Sequence, residues 1–253
     1  MTRAAARPSR PPAGWRLCPG SAVLGLAALL TATGAMAADA VQVSPATTAA
    51  QAELVDITTL APDVQLEIRY AGAHNFTGRP VAGYQAPKCL LLAPVALALA
   101  RVQAGLRGQG LGLRVFDCYR PVRAVQDFVR WAGDPDDQAM KAEFYPGLDK
   151  ARIIPDGYVA EVSGHSRGAT VDLTLVRCAR GRCAELDMGT PFDFFDPRAH
   201  TEAPGLSADQ RANRRLLLEA MRSEGFANYP SEWWHYTLRP EPTPQTAYDV
   251  PIR

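Results

Sequence analysis

The sequence predicts a single α+β domain with a mainly antiparallel sheet and flanking helices. Helical and strand-like segments are mixed without the regular strand–helix–strand order of a parallel sheet, and hairpin signals dominate the second half. The chain of 253 residues is 47% hydrophobic and 21% charged and shows no internal repeat. This composition supplies a core and excludes a disordered, collagen-like or coiled-coil protein.

The first 37 residues predict a secretory signal peptide. Four arginines precede an apolar run at 22–32, and Ala35-Met36-Ala37 has the small residues of a cleavage site. A run of this length, at ~1.5 Å per residue, is too short for the ~30 Å of bilayer hydrocarbon, so a permanent anchor is the weaker alternative. We therefore expect a periplasmic protein with no stable membrane anchor after cleavage. Residues 38–56 are rich in Ala, Thr and Gln, and we expect a loose N-terminal arm before a folded domain at 57–253.

Periodicity and breaker residues predict the elements in the first half of this domain. Alternating apolar and polar residues mark the first strand, and a stretch rich in Ala and Leu, followed by glycines, marks the first helix. Pro121 is placed where the first turn of a second helix tolerates it. In chain order these signals predict a strand at 64–70, a helix at 90–106, a strand at 113–118 and a helix at 121–131.

The second half begins with a polar stretch at 134–156 that contains Pro and Gly and predicts a long surface excursion. Ser207 and Gln210 form a capping box that opens a helix. The remaining predicted elements are extended segments at 157–162 and 169–175, a helix from Ser207 to Gly225 and a last strand at 233–238. In the segment 169–175 the polar residues Thr170, Asp172 and Thr174 share one face.

Four of the five cysteines follow the leader: Cys89, Cys118, Cys178 and Cys183. An even number in an oxidising compartment indicates two disulfides, for which three connectivities are open. Cys178 and Cys183 flank a short segment between extended runs, as at the mouth of a hairpin, which favours their pairing and leaves Cys89 with Cys118. A zinc site built from cysteines is less favoured because the chain has no Cys-x-x-Cys pair.

The charge balance excludes an electrostatic nucleic-acid-binding surface. There are 27 Lys and Arg residues against 26 Asp and Glu residues, a net charge of +1, and no basic run occurs anywhere in the chain. We expect a small-molecule partner and no nucleic acid. The sequence predicts no oligomeric state.

Two of the four histidines lie in settings that favour a metal site. His165 lies in a loop before the segment 169–175, Asp172 lies on the polar face of that segment, and His235 lies in the last strand. Two imidazoles and a carboxylate form a catalytic zinc site that leaves one position for water, whose pKa the metal lowers toward ~7. We therefore predict that these three residues bind one Zn²⁺ per chain. A structural role for each histidine is the alternative.

Glu232 is the candidate general base for such a site, because it lies three residues before His235 and is not needed as a ligand. Residues three apart in a regular strand face opposite sides. Glu232 must therefore lie in a turn formed by Tyr229-Pro230-Ser231 rather than in the strand itself.

A competing motif occurs in the same region. The segment at 164–168 matches the G-x-S-x-G pattern of serine hydrolases, and Ser166, Asp193 and His235 follow the order Ser, Asp, His. That pattern requires a helix directly after its second glycine, whereas 169–175 is alternating and rich in β-branched residues. The serine-hydrolase alternative is therefore disfavoured.

Ordered motifs occur within the region from about Asp56 to Arg253, nearly the whole predicted mature chain. They are Arg69-Tyr70, Asn75-Phe76-Thr77-Gly78, Asp117-Cys118-Tyr119-Arg120-Pro121, His165-Ser166-Arg167-Gly168, Asp172-Leu173-Thr174-Leu175, Met188-Gly189, Phe192-Asp193-Phe194 and Glu232-Trp233-Trp234-His235-Tyr236. In these motifs the sequence resembles the D-alanyl-D-alanine dipeptidases, zinc peptidases of the group that includes the vancomycin-resistance dipeptidase. The resemblance implies a zinc peptidase fold of the D,D-peptidase/hedgehog-like type.

The resemblance also implies roles for individual residues. It implies zinc on His165, Asp172 and His235. It assigns Glu232 as the general base that later protonates the leaving amine, and Arg120 as the residue that stabilises the negative oxygen of the scissile carbonyl.

Three further residues match positions that the family uses around its substrate. They are Tyr70, Ser163 and Asp193, and the carboxylate of Asp193 suits the free ammonium of a dipeptide. The alternative for each is ordinary hydrogen bonding within a loop.

The activity that the resemblance implies is hydrolysis of the D-Ala-D-Ala dipeptide to free D-alanine, in cell-wall dipeptide recycling or glycopeptide resistance. Related zinc peptidases cleave peptidoglycan stem peptides, so a zinc D,D-carboxypeptidase or endopeptidase is the alternative. A module that binds zinc without catalysis is disfavoured, because Glu232 and Arg120 are both present.

Overall fold

The structure is a computed structural model that describes residues 40–179 and 181–253. The predicted signal peptide lies outside the described residues. Within these residues no helix combines the length and the apolar character that crossing a bilayer requires.

A central antiparallel sheet organises the domain. Its strand order is β3-β5-β6-β9-β8, with β7 paired to β6, and only the β3–β5 pair is parallel among the described strands of this sheet. Two short pairs, β1–β10 and β2–β4, lie outside it. The strands are β1 Gln42–Val43, β2 Leu54–Asp56, β3 Gln65–Leu66, β4 Leu90–Leu92, β5 Leu111–Asp117, β6 Thr170–Ala179, β7 Arg182–Glu185, β8 Phe226–Asn228, β9 His235–Leu238 and β10 Thr246–Ala247. The predicted α+β class with a mainly antiparallel sheet is confirmed.

The described helices are α1 Ala93–Arg107, α2 Val122–Ala132, α3 Lys141–Phe144 and α4 Ala208–Ser223. The first helix packs against β5 and α4, and α4 packs against β8. The predicted capping box is present, since Ser207 accepts from the backbone of Gln210 and the Gln210 side chain accepts from the backbone of Ser207. These contacts bury the apolar faces of both long helices against the sheet.

Two predicted elements differ because tertiary pairing overrides the local pattern. The strand predicted at 64–70 is limited to β3, and a one-turn 3-10 helix at Arg69–Ala71 follows it. This turn buries the Tyr70 side chain. The helix predicted at 90–106 begins at Ala93, because Leu90–Leu92 pairs with β2 and Pro94 lies in the first turn.

Two loop regions also differ in detail from the sequence pattern. Part of the segment expected to be a loose arm is ordered, since β1 pairs with β10 and β2 pairs with β4. The segment expected to be extended at 157–162 contains turns and bends instead of a strand. Its residues contribute to the wall of a pocket that His165 and His235 also line.

Two disulfides join cysteines of the described residues. Cys89 and Cys118, separated by 29 residues, are both buried, and their bond joins the start of β4 to the end of β5. Cys178 and Cys183 are direct partners in the β6–β7 hairpin. The two bonds therefore have different surroundings, one in the interior and one at the end of a hairpin.

Candidate active site

Three neighbouring strands place two carboxylates and an imidazole side by side. Asp172 of β6 is paired with Asp117 of β5 on one side and with His235 of β9 on the other. Directly paired residues have side chains on the same face of a sheet. The strand register therefore brings these three residues into one row, although they are distant in the sequence.

The polar face predicted for β6 is in the interior of the protein. Residues Thr170–Val176 are buried on both faces, because β6 lies in the middle of the sheet. Thr170 and Thr237 form a hydroxyl hydrogen bond of 3.0 Å on this face. The alternation of polar and apolar residues in β6 thus reflects a polar site in the interior rather than a solvent-exposed face.

His165 approaches the row from a short turn in front of β6. Ser163 caps a one-turn 3-10 helix at Gly164–Arg167 by accepting a hydrogen bond from the backbone N–H of His165. Gly168 ends this turn with φ of 70°, where a side chain is disfavoured. His165 Nδ1 lies 2.7 Å from the carbonyl oxygen of Cys118. Because a carbonyl oxygen can only accept, Nδ1 carries the proton and Nε2 keeps a lone pair for a metal.

The predicted ligands converge through one atom each. His165 Nε2 lies 3.3 Å from Asp172 Oδ1 and 3.3 Å from His235 Nδ1, and the last two atoms are 3.1 Å apart. Atoms bound to a tetrahedral zinc at about 2.0–2.1 Å lie about 3.3–3.4 Å from one another. Asp172 Oδ1 is buried and has no hydrogen-bond partner within 40–179 and 181–253, which is costly unless a cation satisfies it. The donor set therefore fits Zn²⁺.

The local charges are also those of a cation site. Burial raises the pKa of Asp172, but the imidazoles of His165 and His235 outweigh burial and hold that pKa well below its usual range. For His235, burial lowers the pKa and Asp172 raises it, with a net upward shift. The carboxylate of Asp172 is therefore ionised beside both imidazoles, as a metal ligand must be.

Glu232 lies in the turn before β9, as its spacing from His235 requires. The Glu232 N–H donates to the Tyr229 carbonyl, and the His235 N–H donates to the Glu232 carbonyl. Glu232 Oε2 lies 3.4 Å from His235 Nδ1. Burial, the largest influence, raises the pKa of Glu232 to about 7. A carboxyl group with a pKa near neutrality can both accept and return a proton.

Arg120 borders the donor atoms and is held by acids and aromatic rings. Its Nε donates to Asp117 Oδ2 at 2.9 Å, and its Nη2 lies 3.6 Å from Asp172 Oδ2. Its guanidinium carbon lies 5.0 Å from the ring centres of both Tyr70 and Phe128. A cation held in this way can stabilise a negative oxygen that develops in the pocket.

Asp193 and Tyr70 form a buried pair near the same site. The Tyr70 hydroxyl donates to Asp193 Oδ2 at 2.9 Å. Asp193 has φ of 59°, an uncommon backbone conformation for a residue with a side chain. Burial, followed by the charge of Asp172, raises the pKa of Asp193 well above its usual range. An ammonium group bound here would stabilise the ionised carboxylate.

The sequence-predicted site residues share one pocket of about 200 Å³. This volume is smaller than the ~300–1,000 Å³ of most ligand pockets, which favours a small substrate. The predicted residues that line it are Tyr70, Arg120, Ser163, His165, Asp172, Asp193, Glu232 and His235. The structure therefore brings all of them together.

The geometry contradicts the serine-hydrolase alternative. Ser166 is buried and is not among the residues that line the pocket. The segment after Gly168 forms β6 instead of the helix that a nucleophile elbow requires.

Two residues at the site were missed by sequence reasoning. Asp117 is fully buried and accepts hydrogen bonds from the Tyr84 hydroxyl at 2.6 Å and from Arg120. The sequence feature that could have identified Asp117 is an acidic residue at the end of a predicted strand, three residues before Arg120. Tyr229, at the pocket rim, packs edge-on against His235 with ring centres 5.6 Å apart. Its contribution depends on the turn geometry, which the sequence does not specify.

Comparisons with known proteins assign the family. A family model described as D-Ala-D-Ala dipeptidase matches residues 50–253. A D-alanyl-D-alanine dipeptidase of Streptomyces coelicolor is 44% identical over 78% of this chain and 96% of its own. Those of Enterococcus faecium and Enterococcus faecalis are 42% and 43% identical, each over 75% of this chain and 93% of their own. The chain therefore belongs to the D-Ala-D-Ala dipeptidase family.

Proposed function

We propose that this protein is a zinc-dependent dipeptidase that hydrolyses D-Ala-D-Ala to two molecules of D-alanine. The observation that carries the proposal is the convergence of three metal-donor atoms within 3.1–3.3 Å of one another, in a small pocket that also contains Glu232 and Asp193. Relatives named D-alanyl-D-alanine dipeptidase support the substrate. The reaction serves either cell-wall dipeptide recycling or glycopeptide resistance.

His165, Asp172 and His235 would hold the zinc through Nε2, Oδ1 and Nδ1. When bound, zinc acts as a Lewis acid and lowers the pKa of a coordinated water. The neutral tautomer of His165 is set by the Cys118 carbonyl, so this side chain needs no reorganisation to serve as a ligand.

Glu232 would receive the proton of the attacking water and transfer it to the leaving amine. Its carboxylate lies beside the donor atoms, and its pKa of about 7 suits both transfers. Arg120 would bind the negative oxygen that forms on the scissile carbonyl, because Asp117 and two aromatic rings fix its guanidinium at the pocket wall.

Asp193 would bind the free ammonium of the dipeptide, with Tyr70 orienting its carboxylate. This contact favours a dipeptide over a stem peptide, because the residue before D-Ala-D-Ala in a stem converts that ammonium to an amide. The limited volume of the pocket supports the same preference. Ser163 would contribute by capping the His165 turn at the edge of the pocket.

We further propose that the protein is exported through its N-terminal signal peptide and acts in the periplasm. The charged, apolar and small-residue order of residues 1–37 supports export. Two disulfides are consistent with it, because such bonds persist in oxidising compartments. N-terminal sequencing of protein recovered from the periplasm tests this proposal, with cleavage after Ala37 as the expected result.

Incubation of the purified zinc-loaded protein with D-Ala-D-Ala and with a stem pentapeptide tests the substrate. We expect D-alanine from the dipeptide, little reaction with the pentapeptide, and loss of activity after zinc is removed by a chelator. Release of alanine from the pentapeptide alone would contradict the dipeptidase proposal and favour a D,D-carboxypeptidase. Activity that survives complete zinc removal would contradict the metal-dependent mechanism.

A further inference from the structure

The Cys89–Cys118 disulfide lies directly behind the proposed metal ligands. Both cysteines are buried, and the Cys118 carbonyl oxygen accepts the hydrogen bond from His165 Nδ1 at 2.7 Å. Two residues later, the Arg120 N–H donates to the His165 carbonyl at 3.3 Å. The segment at 117–120 therefore contacts both the ring and the backbone of His165.

The sheet does not hold the Cys118 carbonyl by itself. Pairing between β5 and β6 ends at Asp117, after a register irregularity between Val115 and Asp117. Cys118 is thus the first residue beyond the ladder. The interactions that fix it further include the disulfide and the hydrogen bond from the Tyr119 N–H to the Leu90 carbonyl at 2.9 Å. The Tyr119 hydroxyl is also anchored, because it donates to the Val250 carbonyl at 3.0 Å and accepts from the Val250 N–H at 2.7 Å.

The other half of the disulfide is well anchored. The Cys89 carbonyl accepts from the Ile57 N–H at 3.0 Å, and the residues after Cys89 form β4, which pairs with β2. The Leu92 N–H donates to the Gly168 carbonyl at 3.0 Å, at the end of the turn that carries His165. The disulfide therefore ties the Cys118 segment to a strand that also supports the His165 turn.

We propose that the Cys89–Cys118 disulfide is a positioning element for the metal site. It holds the Cys118 carbonyl in place, and this carbonyl keeps His165 in the tautomer and orientation that direct Nε2 toward Asp172 and His235. Partners of a ligand's second nitrogen affect metal affinity, typically by about 10- to 100-fold when they are lost. The inference rests on the proposed role of His165 as a zinc ligand.

The Cys178–Cys183 disulfide provides a matched comparison. It joins two directly paired residues of the β6–β7 hairpin, and Cys178 is exposed. Neither cysteine lines the pocket or contacts a predicted ligand within the described hydrogen bonds. Its removal should leave the metal donors in place.

The test compares the double variant Cys89→Ser/Cys118→Ser with the control Cys178→Ser/Cys183→Ser, both as the mature chain without its signal peptide. Zinc affinity is measured by competition with a chromophoric chelator, at a temperature where circular dichroism shows each variant to be folded. We expect affinity about 10- to 100-fold weaker in the first variant and within about 2-fold of wild type in the control. Equal affinity in the two folded variants would overturn the proposal.

The absorption spectrum of the cobalt-substituted protein separates positioning from general stability. A displaced His165 ring changes the cobalt coordination and shifts the visible bands, whereas a loss of global stability alone leaves the bands of the folded protein unchanged. We expect the shift in Cys89→Ser/Cys118→Ser and in Cys89→Ala/Cys118→Ala, and not in the control. Variants that stay unfolded even with metal would also count against the proposal, because the bond would then serve folding as a whole.

Failure of this inference differs from failure of the proposed function. If the wild-type protein binds no zinc and does not hydrolyse D-Ala-D-Ala, the proposed function is wrong. If wild type does both, and the disulfide variant keeps its zinc affinity and cobalt spectrum, only the positioning role is wrong.

Discussion

The candidate site combines residues held by the sheet with residues held by turns. Asp172 and His235 are direct partners on β6 and β9, so backbone hydrogen bonds on both sides fix their separation. His165, Glu232 and Asp193 come from turns and need additional support. The comparison indicates that a strand register suffices to place a ligand pair, whereas each turn-borne residue depends on a specific local contact.

The supports of the turn-borne residues differ from one to the next. Ser163 and the Cys118 carbonyl hold His165, and the Tyr229 and His235 backbone closes the turn around Glu232. Tyr70 holds Asp193, whose backbone is in the left-handed region. Substitutions of the turn-borne residues should therefore affect catalysis, substrate binding and metal affinity one at a time, whereas substitutions in the sheet should affect several of them together.

Replacing Glu232 should have the largest effect on catalysis without loss of the metal. Glu232→Gln removes the proposed proton acceptor, and we expect kcat to fall by at least about 100-fold. Zinc content should be unchanged, because the three donor atoms are left intact. Steady-state kinetics and metal analysis on the same preparation measure both quantities.

Glu219→Gln, at an exposed position on α4, is the control for this substitution and should behave as wild type. Unchanged turnover in Glu232→Gln would remove this residue from the mechanism. Loss of zinc in the same variant would instead show that Glu232 contributes to metal binding.

Arg120→Lys should lower kcat by about 100-fold, because a lysine keeps the charge and loses the planar guanidinium that binds Asp117 and would bind a developing oxyanion. The KM for D-Ala-D-Ala should change much less. Arg101→Lys, in a surface pair with Glu224, is the control. A rise in KM alone would assign Arg120 to ground-state binding.

Asp193→Asn should lower kcat/KM for D-Ala-D-Ala by about 10- to 100-fold, the value expected for a lost hydrogen bond to a charged group. N-acetylated D-Ala-D-Ala lacks the ammonium, so wild type and variant should use this analogue with similar, low efficiency. Tyr70→Phe should show a smaller loss, because it removes one hydrogen bond to Asp193 and leaves the carboxylate that binds the ammonium. An equal loss on both substrates would contradict recognition of the ammonium.

The smallest expected effect is on stability rather than on catalysis. It concerns Asp127 of α2, which binds the Arg79 side chain and the Ala82 N–H in the loop at 79–82. Burial raises the pKa of Asp127, but hydrogen bonds from Arg79, the Ala82 N–H and Arg130 outweigh burial and lower the pKa. A lowered pKa in the folded state stabilises the protein above the unfolded pKa of about 3.9, and this contribution disappears as the pH falls through the folded pKa.

Asp127→Asn should therefore reduce the free energy of unfolding at pH 7 by about 1 kcal/mol. This value is low for hydrogen bonds between charged groups, because the Arg79 side chain is half-exposed and solvent weakens the interaction. The difference from wild type should shrink as the pH falls below about 4. Urea unfolding at both pH values measures it, with Asp136→Asn as the exposed control. A difference that persists at acid pH would assign the effect to packing.

The sequence predicts well those features that depend on residues only a few positions apart. The capping box of α4 and the turn position of Glu232 follow from spacing alone, and both are present. The hairpin position of Cys178 and Cys183 likewise follows from the short segment between them.

The remaining features depend on which segments meet in three dimensions. The residues after β3 form a turn instead of the predicted strand, because Tyr70 is buried against Asp193, a residue far along the chain. The hydrogen bond from His165 to the Cys118 carbonyl involves a backbone atom, which every residue type possesses. No residue pattern could have identified that contact.

Anomalous diffraction at the zinc edge, from crystals of the protein loaded with one equivalent of zinc, tests the central claim most directly. The account predicts a single strong peak within about 2.0–2.2 Å of His165 Nε2, Asp172 Oδ1 and His235 Nδ1. A peak bound to other residues, or a fully loaded protein with no peak among these three atoms, would contradict it.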